Sequence, residues 1–544
     1  MRTVSRRTFF ALSAGVVLAA CSSSSSSSSS SAATTAAGVG STTGASATSP
    51  PIAPSTTEAA TTTEAPPTTG PLPADPFGLG VASGDPAPKS VILWTRLVGD
   101  GLPDTVPVLY QVATDEAFAD VVIVQVLTAT ADEAHSVHAD ASGLDPDTWY
   151  FYRFQAGGFT SPIGRTRTTP AVDAAMEELV VGSASCQNYE DGFYEAHADI
   201  AAAGLDALFW LGDYIYEGAG SPPGGPVVRS HGTPEPTTLD EYRARYALYK
   251  ADADLQAAHA ACPWFVTWDD HEVENNYAGE ISQDNAPTAE FDARRAAAYR
   301  AWWEHQPVRL PKPSGVADGV DYTIYRAARY GTLADFSILD TRQYRSDQAC
   351  GDVTLSLDPA CPETTDPSRT MMGATEETWL FDRLGAQGTT WNVLAQQVIL
   401  SNAKVGQAIL NYDQWDGYPA ARDRLLGHVA EAKVPNLVVL TGDIHFAGVG
   451  RLRAPDGSVV ATEFVDTSIS SGGLVPPSLQ SLVTSIGDVV AAELAHRGWT
   501  KHTVTPTEWR AEFRIVDDAL LPTSTSSTWK SFTITAGTPD VTEV

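Results

Sequence analysis

Apolar and polar positions divide the chain into three stretches with different periods. From Phe77 to about Pro170, short β-rich runs alternate with turns. Val91–Leu97, Val106–Ala113, Val121–Thr128 and Thr148–Phe154 are the clearest strands, and Asp-Pro, Gly-Asp and Pro-Asp dipeptides end them. From about Glu177, continuous apolar strands alternate with helical stretches. The predicted strands are Leu179–Ser183, Ala207–Leu211, Trp264–Trp268, Phe336–Leu339, Val393–Ala395 and Leu437–Leu440. The predicted helices lie over Glu195–Ala203, Asp240–Ala261, Phe291–Glu304, Thr375–Leu384 and Ala420–Lys433. A last strand is expected within Thr523–Val544. Before Phe77 the pattern disappears: Ser22–Ser31 is unbroken serine, and Ala, Thr, Gly and Pro follow to about Pro76.

The first block predicts an all-β sandwich of immunoglobulin or fibronectin type over residues 77–170, with Gly143–Tyr150 as the turn into a late strand. The second predicts an α/β domain over residues 171–544. Residues 21–76 bury too little apolar surface to offset their ordering entropy. They should act as a flexible tether reaching about 40 Å.

Ser5-Arg6-Arg7-Thr8-Phe9-Phe10, an apolar stretch from Ala11 to Ala20, and Cys21 form the start of the chain. A charged region before a short apolar one reads as a signal peptide over residues 1–20 rather than a membrane span. The paired arginines resemble a twin-arginine export signal, and Leu18-Ala19-Ala20-Cys21 resembles a lipobox. These features predict a protein exported folded by the twin-arginine machinery and anchored only by a lipid on Cys21. It would then sit at the cell surface or in the periplasm, or be released from there.

Composition narrows the function further. The 34 basic and 66 acidic residues give a net charge of −32, which argues against sequence-independent nucleic-acid binding. Polyanionic substrates remain open, because bound cations can reverse the local sign. With 43% hydrophobic residues, 13 Trp, 18 Tyr and 17 Phe, the bulk of the chain can build a large core.

Chemistry collects where the predicted strands end. Cys186 follows the first, and Gly212-Asp213-Tyr214-Ile215-Tyr216-Glu217 follows the second. The third runs into Trp268-Asp269-Asp270-His271-Glu272, with Asn275-Asn276 close behind. Later strands end in Asp340-Thr341-Arg342 and in Gly442-Asp443-Ile444-His445. Strand carboxyl ends converge on one crevice in open α/β sheets, so these groups should face a common site. Asp, His, Cys, Tyr and Asn gathered there point to metal. Cys350 and Cys361 are spaced to close a surface loop as a disulfide. Cys186 and Cys262 remain, either free or joined to each other.

Gly-Asp, then Asp-His-Glu, then Gly-x-x-His in this order resembles the calcineurin-like metallophosphoesterases. The fuller set resembles the PhoD family of alkaline phosphatases and phosphodiesterases. It comprises Ser83-Gly84-Asp85-Pro86, Trp94-Thr95-Arg96, Ser185-Cys186-Gln187, Gly212 to Glu217, Trp268 to Glu272, Leu339 to Arg342 and Gly442 to His445. The resemblance implies an α/β metallophosphoesterase sandwich behind the β domain. It also implies hydrolysis of phosphate mono- and diesters at a pair of metals that neutralise the ester and acidify water, with no Ser or Thr nucleophile.

Three departures from the wider superfamily matter. Cys186 stands where Asp-x-His is usual, Asp270 replaces an asparagine and Asp443 a histidine. Carboxylates in place of nitrogen favour calcium on one side, whereas Cys186, Tyr216 and His445 suit ferric iron. The implied iron ligands are Cys186, Asp213, Tyr216 and His445. The implied calcium ligands are Asp213, Asp270, Asp443 and Asn276, with Asp340 a further oxygen or else a partner of Arg342. Zinc or manganese is the lesser alternative. His271 would assist the phosphate or the leaving oxygen, and Arg342 would clamp phosphate or pair with a carboxylate. Two rival functions stand beside this one: a phospholipase D-like diesterase on the same scaffold, and a surface-binding lipoprotein without activity.

Overall fold

The computed structural model describes residues 70–218, 227–314, 322–352, 358–386 and 388–544. The expected leader, Cys21 and most of the tether lie outside the described residues. Residues 70–76, expected to belong to the tether, are among the described ones. Leu72 is buried, and its amide donates to the Gly157 carbonyl at 3.0 Å.

Two sheets face each other at the centre of the larger unit. In the first, strands Leu179–Ala184, Ala207–Trp210 and Trp264–Val266 run parallel. In the second, Ala334–Ile338, Trp391–Ala395, Leu437–Thr441 and Val459–Val465 run parallel. Alternation within each strand explains the layering. Ala207 and Phe209 point into the core between the sheets, whereas Leu208 and Trp210 point outward to helices. Val438 and Leu440 likewise face inward, with Leu437 and Val439 on the opposite side. Burial on both faces is why these strands read as unbroken apolar runs. Phe209 of one sheet stacks on Phe336 of the other at 4.3 Å between centroids, tying the two layers together.

Helices cover both outer faces. Glu195–Ala202, Leu239–Lys250, Ala253–Ala261 and Thr288–His305 pack on the first sheet, and Gly373–Arg383 and Pro419–Glu431 on the second. The single helix expected over Asp240–Ala261 is two. Asp252 interrupts it because its side chain accepts from the amides of Asp254 and Leu255 and caps a new helix. No helix among the described residues is long and apolar enough to cross a membrane.

Strand contributions from both chain ends widen the first sheet to ten strands. Arg497–Val504, Glu508–Val516, Ser526–Thr535 and Val541–Glu543 extend it on one side, so the expected terminal strand is two, the second of them at the sheet edge. On the other side, Val81–Ala87 meets Trp264–Val266 in parallel at Gly84 and Trp264, and Ser90–Arg96 and Ser136–Ser142 follow. These three N-terminal strands pack against a five-stranded sheet built from Thr105–Ala113, Val121–Thr130, Trp149–Ala156, Phe159–Thr160 and Gly164–Arg167. The first block therefore has its own core, yet its sheet is continuous with that of the larger unit.

Candidate metal centre

The parallel strands end at one edge, and the segments beyond them carry the site. Two glycines set how closely those segments approach. A Cβ on Gly212, whose φ is +115°, would lie 2.5 Å from the Asp269 Cβ, and one on Gly442 would lie 2.6 Å from the Ser185 hydroxyl. Any side chain at either position would push neighbouring strand ends apart, which is the physical content of the two Gly-Asp motifs. Cys186, Asp213, Asn276, Asp443 and His445 all adopt left-handed φ between +52° and +66°. Non-glycine residues are costly there, and such strain gathers where side-chain aim matters more than backbone comfort.

Three overlapping groups of donor atoms result, each with its atoms within 4.8 Å of one another. Cys186, Asp213 and His445 form the first, Asp213, Asp270 and His271 the second, and Asp269, Asp270 and Asp443 the third. Asp213 belongs to two of them. Tyr216 joins the first, because its hydroxyl donates to Asp213 Oδ2 at 2.9 Å and lies 3.0 Å from His445 Nε2. The other His445 nitrogen, Nδ1, donates to the Gly472 carbonyl at 2.7 Å. That bond fixes the tautomer and leaves Nε2 free to ligate.

The donor set fits metal. Asp213 Oδ1, Asp269 Oδ2 and Asp270 Oδ1 are buried without a hydrogen-bond partner, and burying charge unpaired is costly. Burial, together with Asp270, Glu272 and Asp443, holds the Asp213 carboxyl well above its ordinary range against the pull of His271. Burial pushes Asp443 up to about 7, with Asp413 and Asp270 adding to it. Burial and Asp213 raise the Cys186 thiol. Cations placed among these groups would reverse each of these tendencies.

Side chains around the donors hold them in place. Glu272 accepts from the amides of Asp213, Tyr214 and Asp269 at 3.1, 2.5 and 2.8 Å, pinning two strand ends together. Gln414 donates to Asp443 Oδ2 at 2.6 Å, and the Asn276 amide donates to Asp270 Oδ2 at 2.6 Å. His271 stacks on Tyr216 at 4.0 Å and donates from Nδ1 to Glu217 Oε2 at 2.7 Å. Burial alone would lower its pKa, but Glu217, Asp270 and Asp213 hold it well above the ordinary histidine value.

Two residues have alternative expected roles. Arg342 pairs with carboxylates, the second of its two readings. It is wholly buried, with its Nη atoms donating to both Asp413 oxygens at 2.7 and 2.8 Å and its Nε to Asp269. A guanidinium so engaged underlies the carboxylate cluster, with Nη2 also 3.6 Å from Asp270 and 3.7 Å from Asp443. Asp340 belongs to none of the three donor groups. Its oxygens accept from the amides of Arg342 and Gln343 and from the Gln343 side chain, capping its own turn. Asn276 lines the cleft beside Asp270, with its side-chain amide directed toward Asp352 at 3.5 Å. Cys350 and Cys361 are disulfide-bonded, and Cys186 and Cys262 are free and buried.

Sequence reasoning passed over Asp269, Glu217, Glu272, Asp413 and Gln414. The first three stand inside the quoted motifs, where neighbouring acids signalled them. Asp413 and Gln414 lie in a stretch with no local pattern. A cleft of about 460 Å³ opens over Asp213, Asp270, His271, Asn276, Asp443 and His445.

Facing sheets with carboxylates, histidines, a cysteinyl and a phenol side chain at their strand ends define a metal-dependent hydrolase. Comparison with known proteins makes this specific. Residues 179–513 match the PhoD-like phosphatase family and residues 62–170 its N-terminal domain. The chain is 43% identical over 481 residues to alkaline phosphatase D of Bacillus subtilis (strain 168), covering 84% of this chain and 80% of that protein. A solved structure described as that of PhoD superposes with a TM-score of 0.83 at 41% identity, covering 88% of this chain and 93% of the other. The chain belongs to the PhoD-like phosphatase family and is a phosphoester hydrolase.

Proposed function

We propose that the protein hydrolyses phosphate mono- and diesters at a mixed metal pair, Fe3+ held by Cys186, Asp213, Tyr216 and His445, and Ca2+ held by Asp213, Asp269, Asp270 and Asp443. The observation carrying this is the double membership of Asp213, shared between a group with thiol and imidazole donors and the carboxylate side. The donors divide by softness. A phenolate beside thiolate and imidazole suits ferric iron, whereas an oxygen-only set suits calcium, with zinc or manganese the lesser alternative. When bound, the metals supply positive charge toward the phosphoryl oxygens and an acidified attacking water.

The chain's own groups do the rest. Glu217 orients His271 so that its second ring nitrogen faces the cleft, where it can donate to a phosphoryl oxygen or to the departing alcohol. Gln414 and the Asn276 amide orient Asp443 and Asp270. Arg342, lying 3.6 Å from Asp270 and 3.7 Å from Asp443, offsets part of their mutual repulsion from below.

The same reading includes folded export through the twin-arginine machinery and a lipid anchor at Cys21, supported by Arg6-Arg7 and the Leu18–Cys21 sequence. It also takes the first block as an immunoglobulin- or fibronectin-like sandwich, supported by two facing sheets around one core. Metal analysis of the purified protein, its visible spectrum, and turnover of p-nitrophenyl and bis-p-nitrophenyl phosphate with and without EGTA test the central claim. A coloured, calcium-dependent enzyme is expected. A colourless protein still active in EGTA would overturn the metal assignment.

A further inference from the structure

We infer that the Cys350–Cys361 disulfide positions the carboxylate side of the metal centre, acting through Gln348 and through the segment that carries Asp413 and Gln414. The inference rests on the metal-pair reading and adds what sets its calcium side. Gln348 is buried, and its side-chain amide donates to the Asn276 carbonyl at 2.8 Å and to Asp413 Oδ1 at 2.7 Å. Both acceptors lead on to the donor groups. The Asn276 backbone amide donates to Asp270 Oδ2, and Asp413 holds the Arg342 guanidinium beneath Asp269, Asp270 and Asp443. Asp352, two residues past Cys350, accepts from Gln283 Nε2 at 3.1 Å and faces Asn276 Nδ2 at 3.5 Å.

The crosslink holds the turn between these two side chains. Cys350, Gly351 and Asp352 pass through φ of +60°, +76° and +57°. Two non-glycine residues so close together in that region are costly unless their surroundings fix them. Both cysteines pack on Ala349, Ile409 and Tyr412 in a cluster separate from the larger cores. Asp413 and Gln414 follow Tyr412 directly, and Gln414 donates to Asp443. One apolar knot thus fixes two segments, 348–352 and 411–414, whose side chains support Asp270 and Asp443. The iron side is held elsewhere: the Gly472 carbonyl takes the His445 proton, and the Cys186 amide donates to the Gly212 carbonyl. Partners behind metal ligands change affinity by about ten- to a hundredfold. The disulfide therefore sets calcium affinity and leaves iron affinity alone.

The test compares the full-length parent with the Cys350→Ser/Cys361→Ser double variant and, with the disulfide intact, Gln348→Ala. Circular dichroism confirms that each is folded. Turnover of p-nitrophenyl phosphate is titrated with free Ca2+ after EGTA treatment, and iron is read by metal analysis and visible absorption. The Ca2+ midpoint should rise by about tenfold in both variants, with iron content and the visible band as in the parent. A variant that melts earlier yet keeps the parent's Ca2+ midpoint would reduce the disulfide to a support of the fold and overturn the inference. Equal loss of iron and calcium would overturn it as well, since the effect would then be global. Hydrogen–deuterium exchange of the proteins as purified reads the positioning without turnover: amides of residues 270–276 and 411–414 should exchange about tenfold faster in the double variant. Should the parent need no Ca2+, the metal-pair reading fails, and the exchange comparison still decides the positioning, with equal rates counting against it. If the double variant does not fold, Gln348→Ala decides by the same titration and exchange.

Discussion

The Tyr216 hydroxyl lies 3.0 Å from Nε2 of His445, although 229 residues separate the two in the chain. The Gly472 carbonyl takes the other imidazole proton, so Nε2 and the phenol oxygen both aim at the space beside Cys186 and Asp213. A phenolate on ferric iron produces a visible charge-transfer band. Tyr216→Phe should abolish that band and reduce iron occupancy, with kcat/KM falling by about tenfold or more. Spectrophotometry beside metal analysis decides it, and a variant that keeps its colour would remove Tyr216 from the ligand set.

Chelation should do more than stop hydrolysis. With the metals gone, the carboxylates of Asp213, Asp269, Asp270 and Asp443 repel one another in a buried site. Each metal held at a hundred times its Kd stabilises the fold by about 2.7 kcal/mol. Extensive dialysis against chelator should therefore lower Tm together with activity, and Fe3+ and Ca2+ should restore both.

Removing Arg342 should destabilise the fold. Its guanidinium is wholly buried between Asp269 and Asp413, and deleting one member of such a cluster strands the others. Arg342→Ala is expected to cost about 3–5 kcal/mol in denaturant unfolding. An unchanged midpoint with a raised KM for phosphate esters would return Arg342 to substrate binding.

His271 and Glu217 form a donor–orienter pair at 2.7 Å. Should His271 donate to the departing alcohol, its loss matters most for alcohols that leave poorly. His271→Gln is expected to lower kcat by about a hundredfold for phenyl phosphate and much less for p-nitrophenyl phosphate. Glu217→Gln should follow the same leaving-group trend more weakly. Equal losses on both esters would assign the pair to ground-state phosphate binding.

Stability should fall in acid through buried histidines remote from the metals. His197 is fully buried between Trp210 and Trp264, donates to Gln187 at 2.7 Å, and is pushed down to about 3 by burial. The unfolded chain takes up its proton near pH 6.5 and the folded chain does not. Stability from this group is thus present above that pH and lost as pH falls, by up to about 1.4 kcal/mol per unit. In paired thermal melts, the Tm of His197→Phe relative to the parent should rise between pH 7 and pH 5. A constant difference would mean that the folded chain takes up the His197 proton as readily as the unfolded chain does.

Much of the protein was determined by local sequence. Apolar runs bounded by turn residues specified the parallel strands, because burial on both faces demands them, and glycine followed by aspartate marked two of the strand ends that bear donors. Cys186, Asp213, Tyr216, Asp270, Asp443 and His445 were all legible, since chemistry at a strand's carboxyl end carries a local signature. Other features depended on pairing between distant segments. That Arg342 lies beneath the cluster while Asp269 enters it follows from Asp413, which is 71 residues away from Arg342 and sits in a loop without periodicity. The continuity of the N-terminal strands with the larger sheet hangs on one meeting of Gly84 with Trp264, which no local propensity encodes. The apolar side of the cleft arose in the same way. Ile444 and Phe446 carry no local sign of the cavity that folding forms from them, Leu479, Leu482 and the strand-end carboxylates. Residue type and spacing decide which groups can do chemistry, and only the packed chain decides which of them share a space and which serve as its support.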